Sequence, residues 1–115
     1  MTEHRVLVCG GRNYANVRTL NATLRGLSPP PTVIIHGAYS GADELAGKWA
    51  LFNRVTELPF PADWGKLGRA AGPIRNQRML DEGKPDLVVA FPGNAGTADM
   101  IRRARAAGVP VIEVP

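Results

Sequence analysis

The chain has 115 residues, 44% hydrophobic and 21% charged, which is the balance of one globular domain with a modest core and not of a disordered segment. Lys and Arg total 14 against 10 acidic residues, and the resulting +4 is spread along the chain; it suits an anionic metabolite as well as nucleic acid and selects neither. The apolar runs, of about five residues, are too short to cross a bilayer, and a single cysteine, Cys9, excludes an intrachain disulfide framework.

The opening MTEHR has no signal-peptide pattern, so a cytoplasmic setting and no membrane partner are expected. Arg5–Cys9 reads as a first strand, followed by the loop GGRNY and a helix over Asn16–Gly26. The triple proline Pro29–Pro31 precedes a second strand, Thr32–His36. After a loop at Gly37–Gly41, Ala42–Asn53 has helical spacing with Leu45, Trp49 and Phe52 on one face. Val55–Phe60 is a third strand, and Pro61–Gly72 a long connector. Pro73 suits the first position of a helix that Gly83 ends. Leu87–Phe91 is the fourth strand, Ala98–Ala107 a helix with Ile101, Ala104 and Ala107 toward the core, and Pro110–Val114 the last strand.

Alternating strands and helices predict an α/β domain spanning residues 1–115, a Rossmann-like three-layer open parallel sheet of about five strands with helices on both faces. In such sheets ligands sit beyond the C-terminal strand ends. Every polar, glycine-rich cluster of this chain follows a strand, so the clusters are expected to line one cleft.

The first cluster is Gly10, Gly11, Arg12, Asn13 and Tyr14. Paired glycines permit a tight turn and close approach of a ligand, and Arg12 suits a phosphate. It is not the G-x-G-x-x-G dinucleotide fingerprint. In the second, Gly37 and Gly41 flank Ser40, and Asp43 falls in the first helical turn, where it either complements the helix dipole or meets a ligand hydroxyl or amine. His36 reads more readily as a satisfied strand-end histidine than as a base, because no nucleophile pattern accompanies it. Trp64 in the connector is a candidate cover for a base, or part of a small hydrophobic cluster. Arg75 and Asn76 open the third helix with Arg78, whose simplest partner is Asp81 or Glu82 on the surface. The last cluster is Pro92, Gly93, Asn94, Gly96, Thr97 and Asp99, with Thr97 as the expected N-cap and Asp99 in the first turn. Arg102, Arg103 and Arg105 read as a solvated helix face. Two histidines and one cysteine supply no zinc set, so no metal and no cofactor is expected.

Taken in order, CGGRNY, HGAYSGADELAGKWA, PADWGKLGRAAGPIRNQRML and FPGNAGTADM resemble the SLOG superfamily. That Rossmann-like group includes the LOG nucleoside-monophosphate phosphoribohydrolases and DNA-processing protein A; the small YspA-type (YpsA-related) domains of bacteria and their phages are the most similar in pattern. The resemblance covers nearly the whole chain and implies a nucleotide, a nucleotide derivative or nucleic acid as the ligand of the strand-end cleft. Enzymatic members carry P-G-G-x-G-T-x-x-E. Pro92, Gly93, Gly96 and Thr97 match it, whereas Asn94 replaces the second glycine and Met100 stands at the glutamate. Arg75 or Arg78 matches the arginine that these enzymes carry in the preceding helix. Without the glutamate, the expectation moves from N-glycosidic hydrolysis, which would fall to Asp99 and Arg75, toward binding of a small nucleotide-like ligand. DNA binding is the remaining alternative, and a homodimer is implied by the resemblance alone.

Overall fold

A computed structural model describes residues 3–115. Met1 and Thr2, on which the expected leader-free start partly rests, lie outside the described residues. Five strands, β1 (Arg5–Cys9), β2 (Val33–His36), β3 (Thr56–Pro59), β4 (Leu87–Ala90) and β5 (Val111–Glu113), form one parallel sheet in the order β3-β2-β1-β4-β5. Five α-helices accompany them: α1 (Val17–Arg25), α2 (Ala42–Phe52), α3 (Trp64–Leu67), α4 (Ala71–Gly83) and α5 (Ala95–Ala106), with a 3₁₀ turn at Gly68–Ala70. The protein is an α/β Rossmann-like fold. No helix among the described residues is long and apolar enough to cross a membrane.

The strand pleat divides the core. Val6, Val8, Ile34, Val89 and Phe91 meet Leu20 and Leu24 of α1 and Ala46, Trp49 and Ala50 of α2. Leu7, Cys9, Ile35, Val88 and Ala90 meet Met79 and Leu80 of α4 and Met100 and Ala104 of α5. Successive side chains in a strand point to opposite faces, and both faces here are covered, so the strands read as continuous apolar runs. The order of connection reverses between β1 and β4. At that switch point the loops leaving the two strands diverge and a crevice opens beyond their ends.

Several element ends differ from the sequence reading. The connector is not irregular, since it holds α3 and the 3₁₀ turn. Helix α4 therefore begins at Ala71, with Pro73 third in its first turn, where a missing N–H still costs nothing. Gly83 does not end that helix from outside. It is the last helical residue, packed under Ile35, and Lys84 takes the left-handed cap at φ 49°.

Helix α5 starts three residues early. Asn94 holds the N-cap position without a side-chain cap, and the amide of Ala98 closes the first turn on Asn94 O at 3.0 Å. Thr97 is thus inside the helix, buried against Gly93, and Asp99 belongs to the second turn. Ala107 is exposed and Ile101 half-buried, while Met100 turns fully into the core. Phe52 is 85% exposed, because the core face of α2 ends at Ala50 and the chain turns away through Arg54 at φ 56°.

Trp49→Ala is accordingly expected to cost about 3–5 kcal/mol, whereas Phe52→Ser changes stability by less than about 0.5 kcal/mol. Denaturant unfolding of the two variants checks this, and comparable losses would contradict the packing described.

Candidate functional site

At the switch point lies a cleft of about 550 Å³, lined by the end of β1, the Tyr39 loop, α3, the start of α4 and the first turns of α5. Its volume falls within the roughly 300–1,000 Å³ of small-ligand pockets. The structure brings Gly10, Gly11, Arg12, Asp43, Trp64, Arg75, Asn76, Asn94, Gly96, Thr97 and Asp99 to this one cleft. Cys9, Tyr39, Arg69, Met79 and Arg102 also line it.

Other expected site residues stand behind the cleft and build it. Gly41, at φ 80°, meets the backbone of Gly11 and Arg12 with no room for a side chain. Gly93 packs on Thr97 and on Gly11, and the Gly11 amide donates to Pro92 O at 2.8 Å. These glycines and Pro92 therefore bring loops together; close approach of a ligand is not what requires them. Gly37 offers its carbonyl to Arg75 Nη1 and its amide to Asp43 Oδ2 at 3.1 Å. Tyr14 leans on Phe91 with ring centroids 5.2 Å apart and joins the core. Asn13 is exposed outside the lining.

His36 and Ser40 belong to a second surface hollow beside β3, which meets the cleft at Tyr39. His36 Nδ1 accepts the Ala38 N–H at 2.9 Å, and Nε2 lies 2.6 Å from Glu57 Oε2. The ring is a satisfied strand-end histidine.

The polar floor is held by reciprocal bonds. Arg75 Nε donates to Asn76 Oδ1 at 3.1 Å and Nη1 to Gly37 O, while Nη2 has no acceptor among the described residues. Burial lowers the Arg75 pKa from its ordinary value against the attraction of Asp43. Burial likewise raises Asp43, although His36, Arg75 and the amides of Tyr39 and Gly37 favour its charged form. For both groups desolvation outweighs the opposite charge nearby.

Asn76 braces α4 to α5, its Nδ2 donating to Gly96 O at 3.2 Å and to Asp99 Oδ2 at 3.0 Å. Asp99 also accepts from Arg103 Nε at 2.8 Å and Arg102 Nη2 at 3.0 Å. Burial works against its ionisation, yet the bonds from Asn76 and Arg103 and the two guanidinium charges together hold its pKa below the ordinary value. Arg102 and Arg103 are thus not a merely solvated face, whereas Arg78 does pair with Glu82, at 3.0 Å. Arg12 and Arg69 take part in none of the ion pairs among the described residues.

Comparison with known proteins places this chain in a family. Residues 4–66 match the model of the YspA, cpYpsA-related SLOG family. A relative along the whole length, the Gene 61 protein of Mycobacterium phage D29, is 38% identical over 119 residues, covering 94% of each chain. The chain belongs to the YspA, cpYpsA-related SLOG family. Among solved structures, DNA processing protein A from Streptococcus pneumoniae superposes with a TM-score of 0.80 at 18% identity, over 98% of this chain and 50% of that one. UDP-GlcNAc 2-epimerase from Neisseria meningitidis, bound to UDP-GlcNAc, gives 0.58 at 15% identity, over 95% of this chain and 31% of that one. This SLOG chain spans half the length of DNA processing protein A or less than a third of the epimerase, and with them it shares the fold.

Among the described residues no cluster of three or more His, Cys, Asp or Glu is placed to hold a metal. Asp99 gives the site a pH signature. Its folded pKa lies below the unfolded one, so its contribution to stability is present above the ordinary aspartate value of about 3.8 and is lost as pH falls through the folded value. Thermal unfolding should therefore show Asp99→Asn well below the parent protein near neutral pH, with the gap closing below about pH 4. A gap independent of pH would contradict the network.

Proposed function

We propose that the cleft binds a nucleotide or nucleotide-derived anion and that the protein acts by binding it, without hydrolysis. The observation that carries this reading is Arg75. Two of its three guanidinium nitrogens are fixed by protein acceptors, and among the described residues none accepts from Nη2, which lies at the cleft. A guanidinium held in this way is organised for an anion before the anion arrives, which lowers the ordering cost of binding.

The opposite wall supports it. The first turn of α5 lines the cleft at Asn94, Ala95, Gly96 and Thr97 without a side-chain cap. Its leading amides and the helix dipole favour negative charge there. Arg12, Arg69 and Arg102 add positive charge around the cleft. The two carboxylates present, Asp43 and Asp99, are both engaged with protein donors.

The same details speak for binding over bond cleavage. Asp99 accepts three hydrogen bonds, two of them from arginines, which leaves it poorly placed to stabilise developing charge on a ribose. Met100, at the place of the enzymatic glutamate, is fully buried in the core. Incubation with bound nucleotide is expected to release no free base.

Gly96 offers the sharpest test, because a Cβ there meets nothing within 4 Å and the backbone needs no left-handed angle. Gly96→Asp fits the fold and adds an acid to the first turn of a helix, where it favours stability by about 0.3–1 kcal/mol. Calorimetry against nucleoside monophosphates, ADP-ribose, NAD and cyclic nucleotides should find a ligand for the parent protein, and Gly96→Asp should weaken it at least tenfold with the melting temperature kept. A ligand unaffected by Gly96→Asp, or no ligand in the panel, would overturn the reading. DNA binding that falls steeply with salt and is lost in the same variant would redirect it to nucleic acid.

A further inference from the structure

The wall of the cleft contributed by the segments that follow β2 and β3 is aromatic, and the anion-binding reading does not draw on it. Tyr39 and Trp64 are 40% and 46% exposed, yet both line the cleft. Their ring centroids are 6.0 Å apart with planes tilted by 42°. The rings touch without stacking face to face, so ring surface stays open.

Each ring is held by local structure. Trp64 opens α3, where Asp63 caps the turn by accepting the Lys66 N–H at 3.1 Å. Its indole rests on Gly72, where a Cβ would lie 3.1 Å from Trp64 Cη2. Tyr39 follows Ala38, a non-glycine residue in the left-handed region at φ 55°. That conformation is unfavourable for alanine and persists only where surroundings impose it. Here they do so through the Ala38 N–H bond to His36 Nδ1, with His36 in turn bonded to Glu57 across the β2–β3 edge. Gly47 leaves the space in which Glu57 reaches the ring, since a Cβ there would lie 2.5 Å from Glu57 Oε2. Two half-exposed aromatic rings on one cleft, each fixed by buried or capping partners, make a platform for a flat ring.

We infer that Tyr39 and Trp64 together take the planar aromatic group of the ligand, so that the site selects a base-bearing nucleotide over a sugar phosphate of the same charge. This rests on the anion-binding reading above and adds the second half of the ligand. Stacking of a base on an aromatic side chain is sequence-tolerant, since every base presents a π face. The wall thus requires a base without dictating which one.

The test is calorimetry of the parent protein, Trp64→Ala, Trp64→Phe and Tyr39→Ala with a panel of nucleoside monophosphates and with ribose 5-phosphate. Loss of a stacking ring is worth roughly 5- to 150-fold in affinity. The inference expects Trp64→Ala to weaken the nucleotide by that factor, Tyr39→Ala to weaken it in the same sense, and Trp64→Phe to retain it within about threefold. Ribose 5-phosphate should bind more weakly than the nucleotide and be unmoved by Trp64→Ala. Trp64 fluorescence should be quenched by the nucleotide and not by ribose 5-phosphate. Nucleotide affinity unchanged in Trp64→Ala, or equal losses for both ligands, overturns the inference while leaving the anion site standing. No binding of any of these ligands by the parent protein overturns both.

Discussion

Three strand-end loops meet backbone to backbone at the switch point, and the rest of the site depends on that contact. A Cβ on Gly10 would lie 2.7 Å from Ala42 Cβ and 3.0 Å from Phe91 Cβ, and one on Gly93 2.7 Å from the Gly11 amide. The Gly11 carbonyl accepts from Ala42 at 3.2 Å, and its amide donates to Pro92 O at 2.8 Å. The loop after β1 is thereby wedged between the start of α2 and the loop after β4. Side chains at these positions would force the loops apart by about the width of a methyl group, more than close-packed interiors absorb without loss. With the wedge in place, α5 begins after a four-residue loop from β4 and presents its uncapped first turn to the cleft.

The polar floor adds a second lock in a different currency. Asn76 ties α4 to α5, and Arg75 ties α4 to the loop after β2. Both residues sit in the second turn of α4, so one helix sets the spacing of both walls. The cost is two partly desolvated charges, Arg75 and Asp43, each disfavoured by its burial. Perturbed, desolvated charges of this kind cluster at functional sites. Protein donors already engage the oxygens of both carboxylates, Asp43 and Asp99.

Much of this was legible in the sequence, and the exceptions have physical causes. Arg5–Cys9 matches its strand because a strand buried on both faces is an uninterrupted apolar run. The cleft was legible because its loops follow strands, a matter of order alone. The individual glycines were not, because a glycine that seats another loop and one that seats a ligand look alike in a sequence. Gly41 and Gly93 serve loops, whereas Gly96 faces open space. The start of α5 was hidden because Ala95 and Gly96 give no start signal and Thr97 imitates one. Helix α3, of four residues, is too short to declare itself without tertiary contacts. Tyr39 was missed as a wall residue because what aims it, the Ala38 turn on His36, depends on a partner, Glu57, from another strand.

Belonging to the YspA, cpYpsA-related SLOG family fits the fold described, and the bound molecule is the claim on which the account stands or falls. Backbone amide mapping by nuclear magnetic resonance during titration with a nucleoside monophosphate tests it most directly. The account predicts that the largest shifts fall on the amides of Gly10, Gly11, Ala95 and Gly96 and on the Trp64 indole N–H, with β3 and β5 undisturbed. Shifts centred on the His36–Glu57 hollow, or an unchanged spectrum at saturating nucleotide, would contradict it.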